Sequence, residues 1–362
     1  MAQEVWTVRK ILDWTCGYLE RKGDEHPRLS AEWLLGNACG LSRIEIYMNF
    51  DRPLAANELD LMRDAVRRRG AGEPLQYVTG DMPFRHIIVR CERGVLIPRP
   101  ETEILVDAAL EGVDTAFASG ITYPDGEVHA CARLAREAAE VAKGEPEGKA
   151  APEAAPEVVD ATQGLAESDE GEASEVPTAE VPREPVPAGP RVLEIGTGTG
   201  CISLSIASER PGTSVWATDL SEVAVLLSRR NRDALGLVDV VRICECDLAD
   251  AVPGELMGTF SVLVSNPPYI PSAVVPTLPY EVQGFEPHLA LDGGSDGLDV
   301  FRRILALAPV ALAPGGMLCV ELFEENVHTA AELTRSQGGW RTVEVRDDLT
   351  HRPRVLVAVR EA

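Results

Sequence analysis

Two short stretches of this chain carry residue types whose spacing suits chemistry. The first, Glu194 to Gly200, reads E-I-G-T-G-T-G, with Thr197 and Thr199 between the glycines Gly196, Gly198 and Gly200. Glycines at a strand-to-helix turn let backbone amides approach a ligand closely and aim the positive end of a helix at it. The spacing is G-x-G-x-G. The nicotinamide fingerprint needs a further glycine where Cys201 stands. Asp219 lies 23 residues beyond Gly196, at the end of the next strand-like segment, where a carboxylate can accept from two ribose hydroxyls. A turn made for packing alone has no use for that acid. The pair points to a nucleoside without deciding which.

The second stretch is Asn266-Pro267-Pro268-Tyr269, directly after another strand-like segment. The prolines have no N–H and fix φ, so the turn is rigid. The Asn266 side-chain oxygen and the Pro267 carbonyl are both acceptors, and two adjacent acceptors suit one –NH₂ group. Tyr269 adds a flat face. Such a device fits a planar amine or amide nitrogen better than a hydroxyl or thiol. Asn-Pro alone is an ordinary rigid turn; the full tetrapeptide at a strand end is more than that.

Both stretches need a scaffold, and the chain from Arg191 supplies one. R-V-L-E-I-G, S-V-W-A-T-D-L, V-V-R-I-C-E-C-D, F-S-V-L-V-S, G-M-L-C-V-E-L, R-T-V-E-V-R-D-D and R-V-L-V-A-V-R read as strands, with helical segments between most of them. Alternation of this kind predicts an α/β fold with a doubly wound, mostly parallel sheet. The short L-T-H-R-P connection predicts a final antiparallel hairpin. Residues 1–80 read as several short helices around a small core, one of them starting at an N-cap Ser30 and stopping at Gly40. Residues 81–111 read as a connector with strands over Ile87–Val89 and Val95–Ile97, then a helix beginning near Glu101 with Glu101 and Glu103 in its first turn. From about Gly112 to Pro190 the pattern dissolves. After Lys143 come eight prolines amid Ala, Glu, Gly and Ser. Such a stretch cannot bury enough surface to order itself, so residues 112–190 are expected to form an acidic, largely disordered insertion. Residues 191–362 are expected to form the domain that carries both stretches.

Charge narrows the partners. The formal net charge is −24. Val141 to Pro190 holds twelve acids and three bases, a net of −9, which leaves −15 elsewhere. A duplex-DNA binder draws most of its affinity from cations on phosphates, so no stable nucleic-acid binding is expected. Prolines interrupt every long uncharged stretch, no membrane span is expected, and the charged N-terminal residues lack a signal-peptide core. A cytoplasmic location follows as the expectation. The eight cysteines show no metal-ligand spacing and read as reduced thiols, with Cys244 and Cys246 as packing residues.

The glycine loop, Asp219 and the tetrapeptide together resemble the class I S-adenosylmethionine-dependent methyltransferases that act on amino groups. Three further stretches narrow the likeness: I-P-R-P-E-T-E at Ile97 to Glu103, F-E-P-H-L-A-L-D-G-G-S-D-G-L at Phe285 to Leu298, and G-E-P-L-Q-Y-V-T-G at Gly72 to Gly80. With them the chain resembles the bacterial peptide chain release factor N5-glutamine methyltransferases, at both ends and outside the insertion. The resemblance implies a seven-stranded methyltransferase domain behind an all-α substrate-recognition domain. It also implies S-adenosylmethionine as cofactor and the glutamine of the GGQ loop of class 1 release factors as acceptor, with translation termination as the process tuned. Gly196 to Gly200, with Glu194, Thr197 and Thr199, would hold the methionine part, Asp219 the ribose, and Asp247 and Leu248 the adenine. Asn266, at the junction of cofactor and acceptor, would with Pro267, Pro268 and Tyr269 hold the substrate amide. Arg99, Thr102 and Glu103 would line the same pocket. Two departures stand out. Leu248 replaces the aromatic often found after the acid, and V-E-L-F-E-E-N lacks the usual glycine after its strand. No metal is implied, and His86, His288 and His351 read as structural rather than as catalytic bases.

A ribosomal-protein glutamine methyltransferase shares the tetrapeptide but is expected to lack Arg-Pro-x-Thr-Glu. An adenine-N6 methyltransferase shares the nitrogen chemistry but needs a basic groove for a flipped base. A non-catalytic cofactor-binding adaptor would have no need of Asn266.

Overall fold

A computed structural model of the chain describes residues 5–119 and 189–362. Five helices open it: α1 (Val8–Arg21), α2 (Pro27–Cys39), α3 (Arg43–Met48), α4 (Ala56–Gly70) and α5 (Leu75–Thr79). Helix α1 buries Val8, Ile11, Leu12, Thr15 and Leu19, one face at helical spacing. These pack with Leu34, Leu35, Ile46, Met62, Val66 and Leu75 into a core of their own. Helix α2 begins four residues earlier than an N-cap at Ser30 predicts. Pro27 takes the first helical position, where its missing N–H costs nothing. Ser30 sits inside the helix and its hydroxyl donates to Asp24 (2.8 Å).

A hairpin follows, β1 (Asp81–Phe84) against β2 (Ile87–Arg90). The expected strand over Val95–Ile97 does not form. Val95 and Ile97 are buried, but the segment has no ladder partner. The Val95 carbonyl instead accepts from the Tyr77 hydroxyl (2.6 Å), and Pro98 and Pro100 cannot donate to a neighbouring strand.

Helix α6 runs over Thr102–Ser119, so the insertion does not begin at Gly112. Gly112, where the sequence pattern is expected to dissolve, is a point of close approach inside the helix. A Cβ there would lie 2.6 Å from Val262 Cγ2 on the sheet. Residues 120–188, where the rest of the expected acidic insertion falls, lie outside the described residues.

The remaining elements alternate: β3 (Arg191–Ile195), α7 (Cys201–Glu209), β4 (Ser214–Asp219), α8 (Glu222–Ala234), β5 (Val241–Glu245), β6 (Phe260–Ser265), the short α9 (Tyr280–Gln283), α10 (Asp299–Ala311), β7 (Leu312–Glu321), α11 (Val327–Gln337), β8 (Trp340–Asp347) and β9 (Pro353–Arg360). The seven strands lie in the order β5-β4-β3-β6-β7-β9-β8. The first five are parallel, and β9 inserts antiparallel between β7 and β8. Strand β6 is buried at every position, as a central parallel strand covered on both faces must be. The order reverses between β3 and β6. Their carboxyl ends form the crevice where open α/β sheets bind ligands.

Candidate cofactor and acceptor site

The glycine loop leaves β3 at that crevice. Gly196 and Thr197 donate their N–H groups to the Thr218 carbonyl (2.8 and 2.9 Å), which pins the loop to the end of β4. Gly196 and Gly198 take φ values of 76° and 56°, conformations that only glycine adopts at little cost. Asp219 ends β4 and holds the loop from below. One carboxylate oxygen accepts from Gly198 N–H and the other from Ser221 N–H, both at 2.9 Å. Each oxygen keeps a second lone pair. Burial raises the Asp219 pKa, against the pull of those amides.

One cleft joins these residues to the tetrapeptide. Its walls include Gly196, Thr197, Gly198, Thr199, Asp219, Asp247 and Leu248 together with Arg99, Thr102, Asn266 and Pro268. Ala224, Leu248, Leu289 and Val300 give the cleft apolar wall suited to a planar base. Leu248 has φ 45°, and its carbonyl accepts from the Thr218 hydroxyl (2.6 Å). Arg303 also lines the cleft and pairs with Asp247 (2.6 Å). A carboxylate with free lone pairs, a glycine turn and an apolar slot together fit a nucleoside joined to a short polar chain. Among the described residues no cluster of His, Cys, Asp and Glu could hold a metal ion.

In the tetrapeptide, Asn266 Nδ2 donates to the Thr102 hydroxyl (3.2 Å). The tetrapeptide backbone is pinned by the glycine-rich stretch that follows. Ile270 donates to the Leu291 carbonyl (3.0 Å) and Gly293 to the Ile270 carbonyl (2.8 Å). A Cβ on Gly297 would lie 2.3 Å from the Tyr269 carbonyl oxygen, so only glycine allows that approach. Asn326 Nδ2 then reaches the same carbonyl at 3.3 Å.

Residues 10–80 match the family model of the PrmC N-terminal domain, and residues 172–276 match that of the methyltransferase small domain. The release factor glutamine methyltransferase of Geobacter sulfurreducens is 36% identical over 319 residues, 88% of this chain and 85% of that protein. That of Chlorobaculum tepidum is 33% identical over 337 residues, 93% of this chain and 91% of its own. That of Rhodopirellula baltica is 32% identical over 351 residues, 97% and 95%. The chain belongs to the release factor glutamine methyltransferase family. Its fold is that of a class I methyltransferase with a C-terminal antiparallel hairpin, and its cofactor is S-adenosylmethionine.

Within that family fold, several expected site residues stand elsewhere. Glu194 is wholly buried beneath the loop, and neither it nor Gly200 lines the cleft. Its Oε2 accepts from the Thr197 hydroxyl (2.7 Å), and Ser203 also favours its charged form. Burial pushes the Glu194 carboxyl up to about 8. Glu103 turns away from the cleft, and its carboxylate accepts from Arg85 N–H (3.2 Å). Consecutive residues of a helix point about 100° apart, so α6 sends Thr102 inward and Glu103 outward. Pro267 and Tyr269 do not form the cleft wall. Tyr269 instead lays its hydroxyl on Glu321 (3.3 Å).

Other residues enter that the sequence reading passed over. Arg99 spans both oxygens of Glu286 (2.7 and 2.8 Å), tying Arg-Pro-x-Thr-Glu to the Phe285–Leu298 stretch. Cys246, read as packing, lines the cleft. Glu321 ends β7 beside Thr102 and Tyr269. Its position at a carboxyl strand end was a usable signal. The V-E-L-F-E-E-N stretch turns without glycine because the Phe323 carbonyl receives the N–H groups of Asn326 and Val327. No helix among the described residues is long and apolar enough to cross a membrane.

Proposed function

We propose that this chain methylates the side-chain nitrogen of the glutamine in the GGQ loop of class 1 release factors. The observation that carries the reading is Asn266, directly after β6 and just ahead of Pro267, in the wall of the cleft that Asp219 and the glycine loop also border. In this reading Asp219 accepts from the ribose hydroxyls, Leu248, Ala224 and Val300 hold the adenine, and the loop from Gly196 to Thr199 faces the methionine part. Asp247, fixed by Arg303, borders the base.

When bound, S-adenosylmethionine supplies an activated sulfonium methyl group. The chain's own residues deal with the nucleophile. An amide nitrogen is a poor one because its lone pair is delocalised into the carbonyl. Asn266 Oδ1 and the Pro267 carbonyl accept its two N–H bonds, which localises the pair and aims it along the transfer axis. Positioning of this kind is worth roughly 7–11 kcal/mol. No strong base is needed before transfer, because the proton can leave afterwards. His288, the histidine nearest in sequence to this region, is exposed.

In the same reading the helical bundle recognises the acceptor protein, and its contacts with the segment after the tetrapeptide support this. Arg69 of α4 pairs with Glu281 (2.9 Å) in the segment that follows the tetrapeptide. A Cβ on Gly72 would lie 3.1 Å from Tyr280 in that same segment.

The test is mass spectrometry of a release factor incubated with the protein and cofactor. One added methyl on the GGQ glutamine supports the reading, and its loss when that glutamine lacks an –NH₂ group supports the nitrogen chemistry. Methylation of DNA adenine with no change in the release factor would overturn it.

A further inference from the structure

Glu321 is almost wholly buried at the carboxyl end of β7, and the transfer described above gives it no part. Two hydroxyls face it. Tyr269 donates to Oε1 (3.3 Å), Oε2 has no hydrogen-bond partner among the described residues, and the nearby Thr102 hydroxyl favours the charged carboxyl. Both hydroxyls belong to the acceptor site. Thr102 is also the group to which Asn266 Nδ2 donates (3.2 Å).

A threonine hydroxyl has one proton and two lone pairs. If its proton goes to a carboxylate, it offers Asn266 nothing but an acceptor. The Asn266 amide must then present its nitrogen to Thr102 and its oxygen to the other side. That oxygen has no donor among the described residues, and it is the atom that the substrate N–H needs. A flipped Asn266 would present –NH₂ to the substrate –NH₂, and the clamp would fail. The chain of donors thus assigns the two ends of the Asn266 amide.

We propose that Glu321 is a positioning residue for the acceptor clamp: by taking the Thr102 proton it fixes the polarity of the Asn266 amide, and by taking the Tyr269 proton it fixes the wall beside it. The proposal rests on the reading of Asn266 as the holder of the acceptor amide.

The electrostatics give the relay a pH signature. Burial pushes the Glu321 carboxyl up to about 7. The Thr102 and Tyr269 hydroxyls and Arg354 of β9 favour the charged form, and Glu101 ahead of α6 opposes it. Ionised, Glu321 can only accept. Protonated, it can donate to Thr102, which frees the Thr102 proton for Asn266 Oδ1 and permits the flip. The pKa is raised and the working form is the ionised one, so turnover rises as pH climbs through about 7.

The experiment measures single-turnover transfer to a release factor from pH 5.5 to 8.5, with cofactor affinity by calorimetry and thermal midpoints on the same samples. Glu321→Gln is expected to lower the rate by on the order of ten- to a hundredfold, as small misplacements at a reacting centre do. Cofactor affinity should stay within about twofold, and the rise through pH 7 should flatten. Thr102→Val should behave alike, and Thr102→Ser should recover at least about tenfold of that loss. The double variant should be no slower than the slower single, because both break one chain. If Glu321→Gln fails to fold, the Thr102 pair carries the test alone. A Glu321→Gln rate within twofold of the unaltered protein, or multiplied losses in the double variant, overturns the relay. Asn266→Ala separates the two failures: a fast Asn266→Ala removes the clamp itself, whereas a slow Asn266→Ala with a fast Glu321→Gln removes the relay alone.

Discussion

Glu194 lies under the glycine loop with no exposure to solvent, and its carboxyl is held up to about 8 by burial. The ordinary value, which an unfolded chain restores, is 4.5. The native protein therefore keeps a proton that the unfolded chain releases. The sign follows from linkage: native Glu194 binds more protons than unfolded Glu194 between those values, so stability is lost as pH rises across that window. At about 1.36 kcal/mol per pH unit, the step from pH 5.5 to pH 8 costs up to about 3.4 kcal/mol. Glu194→Gln abolishes the titration and keeps the shape. The Thr197 hydroxyl, which donates to Oε2 at 2.7 Å, can donate equally to the glutamine oxygen. The two proteins should therefore be of nearly equal stability at pH 4.5. By pH 8 the variant should be more stable by on the order of 4 kcal/mol. Urea unfolding without cofactor, at half-unit steps of pH, reads this as a growing gap in midpoints at constant slope. Glu321 titrates over part of the same range, but it does so in both proteins and cancels in the difference. A gap that stays flat from pH 5.5 to pH 8 would refute the reasoning, because Glu194 would then be ionised inside the fold.

Asp219→Ala should weaken S-adenosylmethionine binding by at least about tenfold in calorimetry, since two charge-assisted bonds to ribose go and the Gly198 and Ser221 amides lose their acceptor; unchanged affinity would remove Asp219 from the site. Asn266→Ala should cut single-turnover transfer by on the order of 10²–10³ while leaving cofactor affinity nearly intact, and transfer at the unaltered rate would end the clamp mechanism. Gly297→Ala places a Cβ 2.3 Å from the Tyr269 carbonyl. It should slow transfer by at least about tenfold through displacement of the tetrapeptide, with a smaller effect on cofactor binding; equal rates would show that the loop yields without moving Asn266.

How much of this was legible depends on whether a residue acts through its neighbours in sequence or in space. The glycine loop, Asp219 and the tetrapeptide could be read because each is a local device at a carboxyl strand end, and the alternation of strands and helices says which edge those ends share. The same reasoning misjudged Gly112. The sequence pattern dissolves near it, and only the nearness of Val262 shows that it exists to let α6 lie close to the sheet. Val95 to Ile97 has strand-like residues, yet a strand is a property of a pair, and no partner was available. Glu103 failed differently. It stands next to Thr102 in the sequence, but a helix sends neighbours to different faces, so one enters the cleft and the other meets Arg85. The residues passed over altogether, Glu286 and Glu321, both act on groups far along the chain. Arg99 is 187 positions from Glu286. Thr102 and Glu321 meet only because α6 and β7 deliver them to one edge of the sheet. A buried carboxylate looks in sequence like one acid among 58. What distinguishes it is that the fold removes its water and leaves it two hydroxyls, and that exchange also gives it a pKa near neutrality and a hold on the atom that meets the substrate.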